Sequence, residues 1–466
     1  MSSLDLWSEI MNLDVIILGA GKGTRMNSAK AKVLHPLGEK ALINHAIESS
    51  KALDADNIVA VVGYQGDAVR KVLPEGILIA VQAEQLGTGH AVGVALEQLN
   101  VSGGTVLVLF GDVPLVTLET LQKLLIESKG YSVSVLTTIV PDPGRLGRII
   151  RDENGEFKKI VEAADATDKE LSIREINSGI MAIKKDDLIE WLPKLEPANN
   201  QGELYLTDIV EVALNESSKV KAVVCDDPDE VMGINSQFEL AQAERILQKR
   251  RVKDLAIQGA RVADLDRLDI RGEVQIGKDC FIDVNVVLEG DVQLGDGVTI
   301  GPGSLVIDSI IGSGATIHAH TVVEGAEIAA DSQIGPFARV RPGTSVGVGA
   351  KIGNFVETKK AHIGPGSKAS HLAYLGDTDI GAGCNIGAGT VTCNYDGVSK
   401  NETKIGDNVF IGTNSTLVAP LVIDSEAFVA AGSTITTNVS DSALAVGRAK
   451  QKNIDGWVPP SKRKQS

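Results

Sequence analysis

The chain is poor in aromatic residues, in cysteine and in positive charge, and each shortage excludes something. Aromatic residues make up only 3% of the 466 positions, which suits narrow aliphatic packing better than a core built on Trp. The four cysteines, Cys225, Cys280, Cys384 and Cys393, show neither CxxC nor metal-ligand spacing. They read as free thiols in a reducing compartment. The formal charge is −16, with 45 Lys and Arg against 61 Asp and Glu. That argues against a broad basic face for nucleic acid, although a small anion needs only a local cluster of cations and backbone N–H groups. No apolar run approaches the length of a membrane span. Met1–Asn12, with Asp5 and Glu9, lacks the basic start and apolar core of a secretory signal. These absences predict a soluble cytoplasmic protein, with no membrane insertion and no nucleic-acid partner.

What is present is a six-residue beat. Aliphatic residues recur as Ile276, Ile282, Leu288, Leu294, Ile300 and Val306, and the beat resumes from Ile311 to Ile352. It returns at Ile380 and Ile386, then runs from Ile405 to Ile435. A helix repeats every 3.6 residues and a strand every two, so neither explains a period of six. A solenoid does, with one short strand and one turn per hexad and the aliphatic side chain pointing into a shared core. The beat fails after Ile352 and between Val391 and Ile405. Breaks in a repeat predict loops on a binding face.

The first half reads differently. Apolar runs at Leu13–Leu18, Ile58–Val62, Ile77–Val81, Thr105–Phe110 and Ser132–Ile139 alternate with amphipathic stretches at Ala41–Leu53, His90–Leu99 and Leu118–Ser128. Such alternation predicts a mostly parallel sheet covered on both faces, with ligands at the carboxyl ends of its strands. Arg148–Glu162, interrupted by Asn154-Gly155, predicts a hairpin, and Leu204–Asn215 a helix. Ser236 followed by Glu239 is a capping-box signature for a linker helix ending near Gly259. The predicted divisions are residues 1–235, a linker helix over 236–259, and 260–466 with a basic C-terminal tail.

Three glycines, Gly19, Gly21 and Gly23, follow the first strand in Leu18-Gly-Ala-Gly-Lys-Gly-Thr-Arg-Met26. They let the backbone approach a phosphate. The pattern is neither a Walker A loop nor a clean dinucleotide fingerprint. Arg25 and Lys32 add two cations suited to phosphorus chemistry. Asp112, in Gly111-Asp-Val-Pro114 after an apolar strand, stands where a metal–phosphate site is expected. Between Lys32 and Gly111 lies Gln82-Ala-Glu-Gln-Leu-Gly-Thr-Gly-His90, and after Pro114 come Gly147-Arg-Ile, Glu162, Glu175-Ile-Asn-Ser-Gly179 and Gly233-Ile-Asn235.

Together with the hexad coil, this set resembles the bacterial bifunctional N-acetylglucosamine-1-phosphate uridylyltransferase/glucosamine-1-phosphate acetyltransferases, from about Leu13 to Trp457. The resemblance implies a Rossmann-like nucleotidyltransferase domain, a linker helix and a left-handed parallel β-helix that assembles as a homotrimer. It implies that Gly19, Ala20, Gly21 and Gly23 hold UTP, with Arg25 and Lys32 on its phosphates and Gln82, Gly87 and Thr88 reading uracil. Gly147, Glu162, Asn177, Thr207 and Asn235 would hold the sugar phosphate, and Asp112 with Asn235 would share Mg²⁺. Two departures stand out: Phe110 where the family often has Tyr, and Ala31 where it often has Pro.

For the coil, the resemblance rests on Ser370-His-Leu-Ala-Tyr374 and on the interruption Cys393-Asn-Tyr-Asp-Gly397. It implies His371 as general base toward the sugar amine, imidazole chemistry being suited to that task, with Glu357 orienting it. Arg341 and Lys359 would clamp the sugar phosphate, and Tyr374, Asn385 and Lys400 would hold the sugar. Asn394, Tyr395, Thr413, Ala431 and Arg448 would meet acetyl-CoA, in a site built between subunits with the C-terminal arm. Thr413 departs from a frequent Ser. His318 and His320 alternate in one hexad, which predicts a solvated pair on one strand face rather than a metal pair. The implied product is UDP-N-acetylglucosamine, a precursor of peptidoglycan and lipopolysaccharide. The alternatives are a sugar-1-phosphate nucleotidylyltransferase whose coil is not catalytic, and a non-catalytic interaction protein that keeps both folds, against which intact Arg25, Lys32 and Asp112 argue.

Overall fold

The computed structural model describes residues 12–99, 103–197 and 202–462. The expectations for the N-terminal stretch and for Arg463 and Lys464 of the tail lie outside them, apart from Asn12. Among the described residues no helix is long and apolar enough to cross a membrane.

The first unit is built on a sheet of nine strands: β1 (Leu13–Leu18), β2 (Asn57–Val62), β3 (Leu78–Val81), β4 (Thr105–Phe110), β5 (Val133–Ile139), β6 (Arg148–Arg151), β7 (Phe157–Val161), β8 (Glu175–Lys184) and β9 (Val220–Cys225). The main order is β9-β5-β8-β4-β1-β2-β3. All six residues of β1 are buried, because helices cover both faces, and a strand buried on two sides has no polar alternation to show. β1 pairs in parallel with β2 and β4, and the β6–β7 hairpin is antiparallel as predicted.

No pattern in the sequence predicted β8, which runs antiparallel between β4 and β5. Its register shifts between Asn177 and Met181, so the strand is bulged where its polar residues Asn177 and Ser178 lie. Bulges re-aim side chains in this way beside functional sites. The helix predicted over Leu204–Asn215 is split, with a 3₁₀ turn at Leu206–Asp208 before an α-helix at Ile209–Asn215.

The second unit is a parallel coil. Each core aliphatic pairs with the one three hexads on, as Ile282 with Ile300, Leu288 with Val306 and Leu294 with Ile311. Three such ladders make a three-sided prism, in sheets of eleven and fifteen strands. These pairings and the hexad beat agree with the left-handed parallel β-helix. The first predicted break is not a loop. Thr358, Ile363, Ala369 and Leu375 continue the ladders and are buried. Thr358 tolerates an inner slot because its hydroxyl is 3.2 Å from that of Thr344. Only the second break is an insertion, between Cys393 and Thr403. His318 and His320 do not share a strand. The strand ends at Ile317, and His320, with φ 56, turns a corner and stacks on Phe337.

Two compact units, Met1–Leu247 and Gln248–Ser466, divide inside one helix, Gln237–Ile257. Glu239 N donates to Ser236 Oγ at 3.2 Å, and the Glu239 carboxylate accepts from Asn235 N at 2.7 Å, so the cap also fixes Asn235. Ala243 packs in the first unit, while Val252 and Leu255 close the core of the coil.

Candidate active sites

In the first unit the carboxyl ends of β1 and β4 open on a cavity of about 320 Å³. Gly19, Ala20, Gly21, Lys32, Gln82, Gly87, Thr88 and Asp112 line it, as does Phe110. Gly19 N donates to Val61 O, and Gly111 N to Leu18 O, both at 2.9 Å. These bonds set the two loops side by side. Gln82 is buried, and its Nε2 donates to Gly87 O at 3.0 Å and lies 3.2 Å from His90 Nδ1. The Gln82 amide oxygen is thereby the group available to a ligand's N–H. Gln85, not singled out by the sequence reading although it lies in the same motif, also lines the cavity and donates to Ala20 O at 2.7 Å. The Thr88 hydroxyl oxygen accepts from Leu206 N at 2.9 Å.

A second cavity, about 340 Å³, shares Thr88 and Phe110 with the first and is lined by Gly147, Glu162, Asn177 and Thr207. A Cβ on Gly147 would stand 3.2 Å from the Glu162 carboxylate, so any side chain there would crowd the acid. Burial first, then Asp208 and Asp165, pushes the Glu162 carboxyl up from its ordinary range. Tyr205 and Asp208 of the same region, again not singled out by sequence, are raised mainly by burial as well. Gly179, at the bulge of β8, leaves room for the Phe110 ring, which would lie 2.7 Å from a Cβ at that position.

Asn235, expected at both the sugar and the metal, lines neither cavity. Ile234 N donates to Asp112 O at 2.8 Å, which brings Asn235 to Asp112. The Lys32 ammonium pairs with the Asp112 carboxylate and donates to Asn235 Oδ1 at 3.0 Å. Arg25 Nη2 donates to the same oxygen at 2.8 Å. Gly23 lies at φ 65 just before the 3₁₀ turn Thr24–Met26, outside the cavity lining. A carboxylate and an amide oxygen thus converge on one cationic group. Among the described residues no cluster of three or more His, Cys, Asp or Glu stands at ligand spacing. Two oxygens fit a small divalent cation that takes the rest of its shell from water and substrate phosphates.

On the coil, a corner carries the expected residues. His371 ends one strand and Tyr374 begins the next, with Leu372 at φ 48 between them. His371 is exposed and lies beside Asn354 in register. Glu357 does not orient it. The Glu357 carboxylate instead accepts from Arg341 Nη1 at 2.7 Å, because Arg339 and Glu357 are neighbours across the ladder and Arg341 follows on the same strand end. Lys359 pairs in register with Gly376. The Lys400 ammonium, and more weakly Arg341, lowers the Lys359 pKa. Lys400 reaches this point because the insertion folds back, with Tyr395 bridged to Lys400. Three cations therefore converge on one surface, where packing requires none. A Cβ at Gly376 would lie 2.5 Å from the Tyr374 hydroxyl, so the glycine makes space for the tyrosine beside Lys359. Asn385 lies on the adjoining eleven-stranded sheet, next to Lys368. Asn394 is held by Asp377.

Farther along, Gly432 N donates to Thr413 O at 2.8 Å and Arg448 Nη1 to Ala431 O at 2.7 Å. Thr413, Ala431 and Arg448 thereby form a second group.

Residues 15–144 match the MobA-like NTP transferase domain. Residues 273–308 match the bacterial transferase hexapeptide, in six repeats, and residues 402–437 the hexapeptide repeat of succinyl-transferase. Fold and sites thus define a nucleotidyltransferase-type domain carried on the same chain as a hexapeptide-repeat transferase coil. Whole-length similarity narrows this class. The chain is 47% identical to the bifunctional protein GlmU of Marinobacter nauticus, over 97% of this chain and 99% of that one. It is 48% identical to that of Stutzerimonas stutzeri over 97% and 100%, and 49% identical to that of Stenotrophomonas maltophilia over 97% and 99%. The chain belongs to the GlmU family of bifunctional proteins.

Proposed function

We propose that this chain makes UDP-N-acetylglucosamine in two steps. The coil transfers acetyl from acetyl-CoA to glucosamine 1-phosphate, and the first unit then joins N-acetylglucosamine 1-phosphate to UTP. The observation that carries this reading is that each unit holds its own cluster of cations, Arg25 and Lys32 in the first and Arg341, Lys359 and Lys400 in the second. The alternative with a silent coil leaves the convergence of Arg341, Lys359 and Lys400 without a purpose.

In the uridylyl step, a sugar phosphate oxygen bonds to the α-phosphorus of UTP as the bond to pyrophosphate breaks. UTP occupies the first cavity, where the Gln82 amide oxygen accepts the uracil N–H. The sugar occupies the second, with Glu162 and Asn177 on its polar groups. Lys32 and Arg25 neutralise phosphate charge, so positioning and electrostatics supply the rate. Mg²⁺, held by Asp112 and Asn235, would neutralise phosphate charge further. In the acetyl step His371 takes the proton as the sugar nitrogen bonds to the thioester carbon and coenzyme A leaves. Arg341, Lys359 and Lys400 hold the phosphate, Tyr374 and Asn385 the sugar, and Asn394, Tyr395, Thr413, Ala431 and Arg448 the coenzyme. The protein works in the cytoplasm as a homotrimer joined through its coils.

The test supplies UTP, glucosamine 1-phosphate, acetyl-CoA and Mg²⁺ and follows products by mass spectrometry. UDP-N-acetylglucosamine is expected. UDP-glucosamine without any acetylated product favours the silent coil, and absence of any nucleotide sugar overturns the reading. Sedimentation equilibrium giving a monomer would remove the trimer.

A further inference from the structure

The segment that leads into Lys32 is clipped by a side chain from another part of the fold. Gln65 Nε2 donates to Ala29 O at 2.7 Å, and Gln65 Oε1 accepts from Ala31 N at 2.8 Å. One amide thus spans Lys30 and fixes the backbone on both sides of it. Lys32 follows directly and opens the 3₁₀ turn Lys32–Leu34. The neighbouring residue of the same turn, Tyr64, holds the other end of the glycine loop. Its N–H reaches Ala20 O at 3.3 Å, and its ring lies 5.6 Å from Lys22 Nζ. The turn after β2 therefore buttresses the loop both before and after Arg25.

The backbone at Gln65 is the informative part. Its φ is 55 and its ψ 34, in the left-handed region. A residue with a Cβ is disfavoured there and glycine is not. The turn itself does not require this side chain, so its bonds to Ala29 and Ala31 are what it contributes. Ala31 matters equally. A proline at that position would have no N–H to offer, whereas its φ of −57 and ψ of 141 would suit a proline ring. The 29–31 backbone can thus be fixed by an amide clip or by a ring, and this chain uses the clip. Gln65 lines neither cavity, so its influence on chemistry is indirect, through the segment it holds, which runs directly into Lys32.

We propose that Gln65 is a positioning residue for uridylyl transfer, holding the Ala29–Ala31 segment so that the Lys32 ammonium meets the substrate phosphates. This rests on the nucleotidyl-transfer reading of the first site.

The test is a set of variants of the full-length protein assayed for both activities in the same samples. Gln65→Gly removes both hydrogen bonds and gives the left-handed position its preferred residue. It is expected to lower kcat for uridylyl transfer on the order of tenfold to a hundredfold, as small misplacements of a reacting group do. The KM for UTP should change less, acetyl transfer should not change, and the thermal midpoint should hold or rise. Adding Ala31→Pro to Gln65→Gly should recover most of the lost kcat, while Ala31→Pro alone should lower it, since the ring meets the Gln65 oxygen. In a Lys32→Ala background, Gln65→Gly should have no further effect, as expected of two residues acting as one unit.

Gln65→Gly with kcat within about twofold of wild type overturns the proposal. So does an effect that persists undiminished without Lys32, or a parallel loss of acetyl transfer and thermal stability. Wild-type protein lacking uridylyl transfer would instead retire the reading of the first site, which keeps the two failures distinct.

Discussion

Glu162 illustrates how a single residue combines stability with binding. Its carboxyl is raised by burial and then by Asp208 and Asp165, so the folded state holds this proton more readily than the unfolded chain. The sign follows: the folded protein binds more protons, and the contribution to stability is present at low pH. It is lost as pH rises from the ordinary carboxylate range through the raised folded value. Glu162→Gln is expected to raise the thermal midpoint above that window and to give no advantage below it, which melts at about pH 4 and about pH 8 would resolve. The same change should raise KM for the sugar phosphate roughly tenfold or more, because a charged acceptor is lost. At the coil the cations work against one another, since Lys400 depresses Lys359. Lys400→Met should raise the Lys359 pKa, readable by NMR titration, and weaken glucosamine 1-phosphate binding by roughly tenfold. Residue chemistry of this kind was legible as identity but not as partnership. Arg341 belongs to a basic pair that a coil surface does not need, and His371 comes forward through the family resemblance rather than through its context alone. That Glu357 serves Arg341 rather than His371 depends on ladder register, which the chain reveals only once coiled.

Elements were legible where one periodicity ruled. β1 and β4 appear at the predicted residues because an uninterrupted aliphatic run between turns admits few readings. The coil's rhythm was legible for the same reason, except where small residues fill inner slots. Ala369 is buried in register with Ile352 and Ile386. An alanine carries too weak an apolar signal to keep a hexad visible, and the stretch reads as a break. Its packing makes a prediction: Ala369→Leu should overfill that layer and destabilise the coil by about 1–3 kcal/mol, measured by denaturant unfolding, even though leucine restores the apparent beat. β8 escaped detection because Glu175-Ile-Asn-Ser-Gly179 alternates poorly around a bulge. The residues that spoil the strand pattern, Asn177 and Gly179, are the ones that shape the second cavity. The insertion between Cys393 and Thr403 was legible, because extra length cannot be absorbed by a coil of fixed turn. Replacing Tyr395–Lys400 with a short glycine turn should leave the thermal midpoint of the coil unchanged. Acetyl transfer should fall by on the order of a hundredfold, since Lys400 leaves the cation cluster and Tyr395 leaves the proposed coenzyme site.

At the scale of the whole molecule, the two units have separate cores, and each carries its own proposed site. The aliphatic clusters on the two faces of the first sheet and the cluster inside the coil share no residue. Each unit should therefore respond to its own ligands. Calorimetry is expected to show two transitions, with UTP and Mg²⁺ raising one and acetyl-CoA the other, since a ligand stabilises only the fold that binds it. The same separation governs activity. Asp112→Ala deprives Lys32 of its carboxylate partner, leaving it Asn235, and removes half of the oxygen pair that fits a divalent ion. It should cut uridylyl transfer by at least about 100-fold and leave acetyl transfer intact. His371→Ala, in an exposed position where the lost ring leaves no cavity, should do the reverse if His371 is the proposed general base, a loss that costs about 100-fold or more. Assays of both variants under saturating substrates decide the matter. If either change removes both activities in protein that still shows both calorimetric transitions, the two sites are not independent, and the assignment of one chemistry to each unit fails.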